Sequence, residues 1–310
     1  MPEKIYVLGH KSPDLDSVAA AISYAHYKNK TEETDVYLPR VAGGLNRETE
    51  YILGKFGFDA PEIMESAKGE NVILVDHNEL SQAADGMDEA KIAEVLDHHK
   101  IDFKYAEPMR FETYPWGSTC TIVANKMFMS GLEISKNIAA LQLAAILVDT
   151  VITKSPTTTD MDRDIIEKLS ELSGISDWKR FGLEIFKIRS SAKELGAEEI
   201  IKYDFKDFNF KTGKFGVGQV ETVDLNDFSG REDELLAKLK EIREAGGYHS
   251  VILFITDIMK EGSLFLVATS DREKVEAALG GKLQDDRVYL NGVISRKKQV
   301  APKFMEVFDR

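Results

Sequence analysis

The chain has 310 residues, 43% hydrophobic and 30% charged, with 53 acidic against 40 basic side chains and a formal net charge of -13. That length predicts two domains rather than one core, and the acidic balance disfavours a broad contact with a nucleic-acid backbone, which calls for a basic face. The single cysteine, Cys120, excludes an internal disulfide and a thiolate zinc cluster and reads as a small buried residue.

In chain order, Ile5-Tyr6-Val7-Leu8-Gly9 reads as a buried strand. The polar stretch His10-Lys11-Ser12-Pro13-Asp14-Leu15-Asp16-Ser17 follows, and an Ala-rich helix then opens with Asp16 or Ser17 as N-cap. Pro13 fits neither element, so His10, Asp14 and Asp16 sit on a strand-to-helix loop. An isolated Asp-x-Asp more often caps a helix; what raises this one above that reading is what recurs later. Residues 35–38 read as a strand and 47–56 as an amphipathic helix. Asn71 to Val75 is a strand covered on both faces, ending in Asp76-His77-Asn78-Glu79. Ile92 to Leu96 is another, ending in Asp97-His98-His99. Helices are predicted over 118–129, 137–148 (closing on Asp149-Thr150), 164–172 and 178–195. The longest apolar stretch, Ile138 to Val148, is broken by Gln142 and too short to span a bilayer. No basic segment followed by a long apolar one opens the chain, so a cytoplasmic enzyme is expected.

Alternating strands and helices imply an α/β fold whose first domain, residues 1–189, is a doubly wound, mostly parallel sheet. Residues 190–196 are expected as a linker and 197–310 as a smaller α/β domain with a mixed sheet. There, 199–210 and 214–224 read as strands, 232–244 as a helix, 250–258 and 263–270 as a strand pair, and 271–279 as a short helix.

Polar clusters thus recur after apolar runs: His10, Asp14 and Asp16; Asp76; His98 and His99; and Asp149. Parallel strands align their carboxyl ends on one edge, where the first three clusters can meet. Four carboxylates and up to three imidazoles suffice for two divalent ions, with Asp76 and Asp149 as candidate bridges. Mixed imidazole and oxygen donors suit manganese or cobalt. Two ions about 3.5–4 Å apart are a device for hydrolysing phosphate esters and anhydrides. Arg296 and Lys297, with Lys206, would cover the rest of a polyanion, although a basic triplet is more often a solvated patch. His77 reads as a loop-bonding residue, and His26 and His249 stand outside the pattern. The chain has no P-loop, no Rossmann fingerprint and no Gly-x-Ser-x-Gly elbow.

Five motifs carry a resemblance: Gly9-His10-Lys11-Ser12-Pro13-Asp14-Leu15-Asp16-Ser17, Val75-Asp76-His77-Asn78-Glu79, Leu96-Asp97-His98-His99, Leu147-Val148-Asp149-Thr150 and Ser295-Arg296-Lys297-Lys298-Gln299. Together they resemble the family II, manganese-dependent inorganic pyrophosphatases of the Asp-His-His (DHH) phosphoesterase superfamily. The resemblance implies a metal-binding DHH domain and a substrate-binding C-terminal domain. It implies one ion on His10, Asp14, Asp76 and Asp149, and another on Asp16, Asp76, His98 and Asp149. His99, Lys206, Arg296 and Lys297 would be the catalytic and substrate-binding residues, His99 as proton donor or hydrogen-bond partner near the leaving phosphate. Lys202 is the neighbouring alternative to Lys206.

The implied reaction is hydrolysis of pyrophosphate to two phosphates by a metal-bridging water or hydroxide, at a two-metal site between domains. Two Mn2+ (or Co2+) would serve each site, Mg2+ would arrive with the substrate, and the enzyme would be a cytoplasmic homodimer joined through the first domain. No nucleic-acid or membrane partner is expected. The alternatives are a DHH-type phosphodiesterase, an exopolyphosphatase, and a non-catalytic metal- or phosphate-binding regulator. The first usually bears a Gly-Gly-Gly-His signature, from which Gly246-Gly247-Tyr248-His249 departs.

Overall fold

The computed structural model describes residues 3–189 and 195–309, which divide into two units, Met1–Ile185 and Phe186–Arg310. The first unit opens with β1 (Ile5–Leu8), α1 (Leu15–Thr31), β2 (Tyr37–Val41), α2 (Arg47–Phe56), a two-residue β3 (Glu62–Ile63) and β4 (Asn71–Val75). With β5 (Lys91–Asp97) and β6 (Arg110–Thr113) these strands form one sheet in the order β3-β2-β1-β4-β5-β6, every pair parallel. The chain winds outward from β1 in one direction, then returns to its other side at β4, so the order reverses between β1 and β4. Helices α3 (Thr119–Ser130), α4 (Lys136–Asp149), α5 (Asp160–Ser173) and α6 (Trp178–Arg189) follow.

Side-chain alternation divides the sheet between two layers. Leu8, Val72, Leu74, Ile92 and Val95 pack with Ala83, Ala84 and Met87 of the 80–90 segment. The opposite face is covered by α1, which also packs on α3 and α4.

The expected cap of α1 needs correction. Asp14, rather than Asp16 or Ser17, is the N-cap, its Oδ1 accepting from the Ser17 amide at 3.0 Å. Leu15 is fully buried and anchors the first turn, which draws Asp16 and Ser17 inside the helix. Helix α5 likewise begins at Asp160, ahead of the expected start, because Thr159 and Asp162 form a capping box. The helix expected over 178–195 is described to Arg189, and residues 190–194, which hold most of the expected linker 190–196, lie outside the described residues.

The second unit has α7 (Ala197–Lys202), β7 (Phe205–Phe210), β8 (Gly213–Thr222), α8 (Glu232–Ala245), β9 (Ser250–Asp257), β10 (Gly262–Thr269), α9 (Arg272–Leu279), β11 (Arg287–Asn291) and α10 (Ala301–Phe308). Its sheet runs β11-β10-β9-β8-β7, with β8 and β9 parallel and the other pairs antiparallel. Val251, Leu253 and Ile255 of β9 face α7 and α8, while Ile252 and Phe254 face α9 and α10. Residues 199–202 are helix, not the start of a strand. Ala197, Ile200 and Ile201 bury one helical face, and the Glu199 carboxylate accepts from the Gly196 amide at 2.8 Å. The loop after β11 ends in a single π turn, Arg296–Val300, capped by Ser295.

Candidate metal centre

The carboxyl ends of β1, β4 and β5 are neighbours in one sheet, so the residues just past them share one edge. Past β1 the chain places His10 and Asp14, and Asp16 in the first turn of α1. Past β4 comes Asp76, in a left-handed conformation (φ 62°) that is uncommon for a residue with a Cβ. Its amide is tied to the Leu96 carbonyl at 3.0 Å and its Oδ1 accepts from the Thr119 hydroxyl at 2.9 Å, so the turn is held from two sides. Past β5 come His98 and His99, and the last residue of α4 supplies Asp149.

His10 Nε2 lies 3.6 Å from Asp14 Oδ2 and 3.5 Å from Asp76 Oδ2. His98 Nε2 lies 3.5 Å from Asp76 Oδ1 and 3.7 Å from Asp149 Oδ2. These separations are too long for hydrogen bonds. Two donors on one cation, at bonds of about 2.1 Å, stand about 3–3.5 Å apart, close to what is seen. Among the described residues, donor atoms within 4.8 Å of one another fall into three groups: His10, Asp14 and Asp76; Asp16, Asp76, His98 and Asp149; and Asp76, His98 and His99. Asp149 thus joins the His98 group and not the His10 group. Asp76 belongs to all three.

Electrostatics agree with that spacing. Burial, and then the charge of Asp16, push the Asp76 carboxyl well above the usual carboxylate range. Asp16 is raised as well, by burial first, although the Ser118 hydroxyl and the Cys120 amide hold it back. Burial pulls the His10 imidazole down, but Asp14 and Asp76 outweigh it and push it up to about 10. Buried carboxylates crowded on facing imidazoles are a place where a divalent cation relieves both repulsion and desolvation. The donor set therefore fits a metal of the manganese type.

Neighbouring groups orient the donors. Asp16 receives the Ser118 hydroxyl (2.6 Å), the Thr119 amide (2.7 Å) and the Cys120 amide (3.0 Å), all from the start of α3. The Cys120 thiol is buried there against the Asp16 carbonyl, at 3.8 Å. His98 Nδ1 lies 3.0 Å from the Trp116 carbonyl, which can only accept, so Nδ1 carries the proton and Nε2 faces the carboxylates. Asp97 accepts from both histidine amides, from His99 Nδ1 (2.8 Å) and from Asn78 (2.6 Å). Burial raises the Asp97 carboxyl, but those donors hold it well below the ordinary range. His77 stays out of the three groups. Its Nδ1 bonds the Val75 carbonyl at 3.0 Å, and burial pulls it down to about 4.

The basic candidates lie in the second unit. Arg296 is buried, and one guanidinium nitrogen, Nη2, reaches both oxygens of the Asp204 carboxylate at 2.7 and 2.8 Å while Nη1 donates to the Asp204 and Val217 carbonyls at 2.6 and 3.1 Å. Lys206 is exposed at the start of β7 and contributes with Arg296 to holding Asp204 low against its burial. Lys297 is exposed as well. Lys202 has its ammonium over the Phe205 ring, 3.6 Å from the centroid.

Sequence reasoning did not find Thr119, Ser118, the Trp116 carbonyl or Asp204. The first two had a signal in Gly117-Ser118-Thr119, a helix start lying opposite a carboxylate-rich loop. The others had none.

Comparison with known proteins follows the same division. Residues 4–146 match the model of the DHH family, N-terminal domain, and residues 183–307 that of the DHHA2 domain. A manganese-dependent inorganic pyrophosphatase of Methanothrix thermoacetophila is 44% identical, with 100% of each chain covered. A probable manganese-dependent inorganic pyrophosphatase of Archaeoglobus fulgidus is 44% identical, with 99% of each covered. A crystal structure from Methanococcus jannaschii, assigned to family II inorganic pyrophosphatase, superposes with a TM-score of 0.87 at 41% identity, covering 99% of this chain and 100% of that one. An exopolyphosphatase-related protein of Bacteroides fragilis has a TM-score of 0.50 at 13% identity over 99% of this chain and 92% of its own, a likeness of fold alone.

Proposed function

Since the chain belongs to the family of manganese-dependent inorganic pyrophosphatases, we propose that it hydrolyses inorganic pyrophosphate to two phosphates at the cluster around Asp76. The observation that carries this reading is the split orientation of one carboxylate: Asp76 turns Oδ2 to His10 and Oδ1 to His98. A carboxylate facing two imidazoles on opposite oxygens would offer one donor to a cation on either side. One ion would rest on His10, Asp14 and Asp76, to which the family resemblance adds Asp149; the other would rest on Asp16, Asp76, His98 and Asp149. When bound, such ions polarise phosphoryl oxygens and lower the pKa of water.

The protein's own groups do the remaining work. His99, fixed through Nδ1 on Asp97, has Nε2 left for a phosphate oxygen, as hydrogen-bond partner or proton donor. Arg296 would exchange the Asp204 carboxylate for a phosphate, since its Nη2 can donate to the oxygens of either anion. Lys206 and Lys297 would add point charges, and Lys206 is favoured over Lys202, whose ammonium is engaged with Phe205. Manganese or cobalt would fill the site and magnesium accompany the substrate. The enzyme would act in the cytoplasm as a homodimer joined through the first unit. No helix among the described residues is long and apolar enough to cross a membrane.

The test is phosphate release from pyrophosphate, with tripolyphosphate and a short oligonucleotide in parallel, after stripping metal and reloading with manganese, cobalt or magnesium. Manganese- or cobalt-stimulated cleavage of pyrophosphate alone is the expected outcome. Nucleotide release with little pyrophosphate cleavage would move the chain to the phosphodiesterases, and cleavage of tripolyphosphate in preference would move it to the exopolyphosphatases.

A further inference from the structure

We infer that Asp162 is a positioning residue that holds and strengthens His98 as a metal donor, acting through the Trp116–Gly117 peptide. The inference rests on the reading of His98 as a ligand. Asp162 is fully buried, outside the three donor groups, and unused by the chemistry above. Its carboxylate accepts the Gly117 amide on both oxygens (3.0 and 2.9 Å), the Thr121 hydroxyl (2.6 Å), and the Thr159 amide and hydroxyl (2.7 and 2.6 Å). The Gly117 N–H and the Trp116 C=O are the two ends of one amide. The first donates to Asp162, and the second accepts from His98 Nδ1 at 3.0 Å.

A carboxylate on the N–H end draws the amide's electrons toward its oxygen, and hydrogen bonds in such a row strengthen one another. The Trp116 carbonyl thereby becomes a better acceptor for Nδ1–H. The imidazole is pinned in one tautomer and orientation, with a more basic Nε2 turned to Asp76 and Asp149. The usual partner of a ligating histidine is a carboxylate or a carbonyl; here the two are joined in series. Residue 117 has to be glycine for this approach, since a Cβ would stand 2.7 Å from the Thr150 methyl and 2.9 Å from the Asp162 carboxylate.

The competing account makes Asp162 only the capping-box residue of α5. Three variants of the full chain separate the two: Asp162→Asn removes the charge, Gly117→Ala wedges the amide away while keeping the charge and Thr159, and Thr159→Ala removes the capping hydroxyl while leaving the Asp162 charge and its bonds to the Gly117 amide. Each is stripped of metal and retitrated with Mn2+, with free Mn2+ followed by electron paramagnetic resonance. The His98 ring nitrogens are followed by 15N NMR in the metal-free protein.

Asp162→Asn and Gly117→Ala are expected to weaken one of two bound Mn2+ about tenfold and leave the other unchanged. They should also shift the Nδ1–H resonance toward a weaker hydrogen bond. Thr159→Ala should lower the melting temperature without either effect. If Asp162→Asn does not fold, Gly117→Ala decides alone. The inference is overturned if the charge-removing and wedging variants keep wild-type Mn2+ affinity and an unmoved resonance, or if Thr159→Ala matches them. Wild-type protein that holds no Mn2+ while the resonance still responds to Asp162→Asn would sink the metal assignment and leave the relay standing.

Discussion

At Asp76, one side chain turns an oxygen to each of two histidines, so its loss should be felt on both sides. Asp76→Ala is expected to lower turnover more than about a hundredfold and to reduce bound manganese, read by steady-state kinetics and metal analysis. Full turnover with an unchanged metal load would refute the site. Arg296→Ala separates binding from metal. It should raise KM roughly ten- to a hundredfold, the worth of a charged hydrogen bond, with manganese stoichiometry unchanged. An unaltered KM would mean that the guanidinium serves only Asp204. Away from the site, His249 stacks on Phe215 (centroids 4.7 Å apart) and against Phe308 (5.3 Å). Burial lowers its pKa first, Lys274 and Arg243 add to that, and Asp271 opposes it. The unfolded chain therefore takes up this proton more readily. His249 adds stability that is complete above the unfolded value of about 6.5 and lost as pH falls below it. His249→Gln should flatten the fall in urea-unfolding free energy between about pH 7 and 5; an unchanged slope would exclude the residue as its source. The residues that gather around Asp76 were legible in the sequence because His10, Asp76, His98 and Asp149 stand at or just past the ends of apolar runs. Asp204 was not, since its partner Arg296 lies 92 positions away and nothing in local pattern encodes that pairing.

The elements that carry the site are those with the clearest local signals. The bounds of α2 and β4 agree with the reading from sequence: one has an amphipathic period with Asn46 as cap and Gly57 as stop, the other an unbroken apolar run. Short polar strands left no such trace. Strands β3 and β6 lie at the two edges of the first sheet, where one face or one rim is open to water and alternation is not imposed. The 199–202 segment misleads because Glu199-Ile200-Ile201-Lys202 supports either period until its packing partners are known. Gly9 shows how tightly β1 hands over to α1. A Cβ there would fall on the Ser17 hydroxyl and within 3.0 Å of Ser17 Cβ. Gly9→Ala is expected to cost about 1–3 kcal/mol, and adding Ser17→Ala should recover part of it. Denaturant melts of the four-member cycle decide this, and strict additivity would deny the contact.

On the scale of the molecule, a chain of net charge -13 gathers Asp14, Asp16, Asp76 and Asp149 in one cluster, where a bound cation would offset their repulsion. Manganese that binds only the folded chain should stabilise it by about 2.7 kcal/mol at a hundredfold excess over its dissociation constant. For units of this size that is a rise of several degrees in melting temperature, reversed by a chelator. A calorimetric midpoint indifferent to manganese, at concentrations that restore activity, would place the ions elsewhere. The two-unit division was visible in length and in the change from strand-helix alternation to a strand-rich pattern. Composition marks its boundary only to within several residues, because the stretch around Ser190-Ser191-Ala192-Lys193 is only modestly enriched in Ser and Gly over its flanks.

The lone cysteine offers a stopwatch. Cys120 is fully buried at the start of α3, beside the backbone of Asp16, and burial keeps its thiol protonated. A thiol reagent can reach it only when that end of the helix lifts from the loop it secures. Labelling kinetics would thus time the opening of one corner of the site, in unmodified protein, with every other residue silent to the reagent. Manganese should slow that clock, and the factor by which it does so converts directly into the free energy that couples ion binding to closure of the corner.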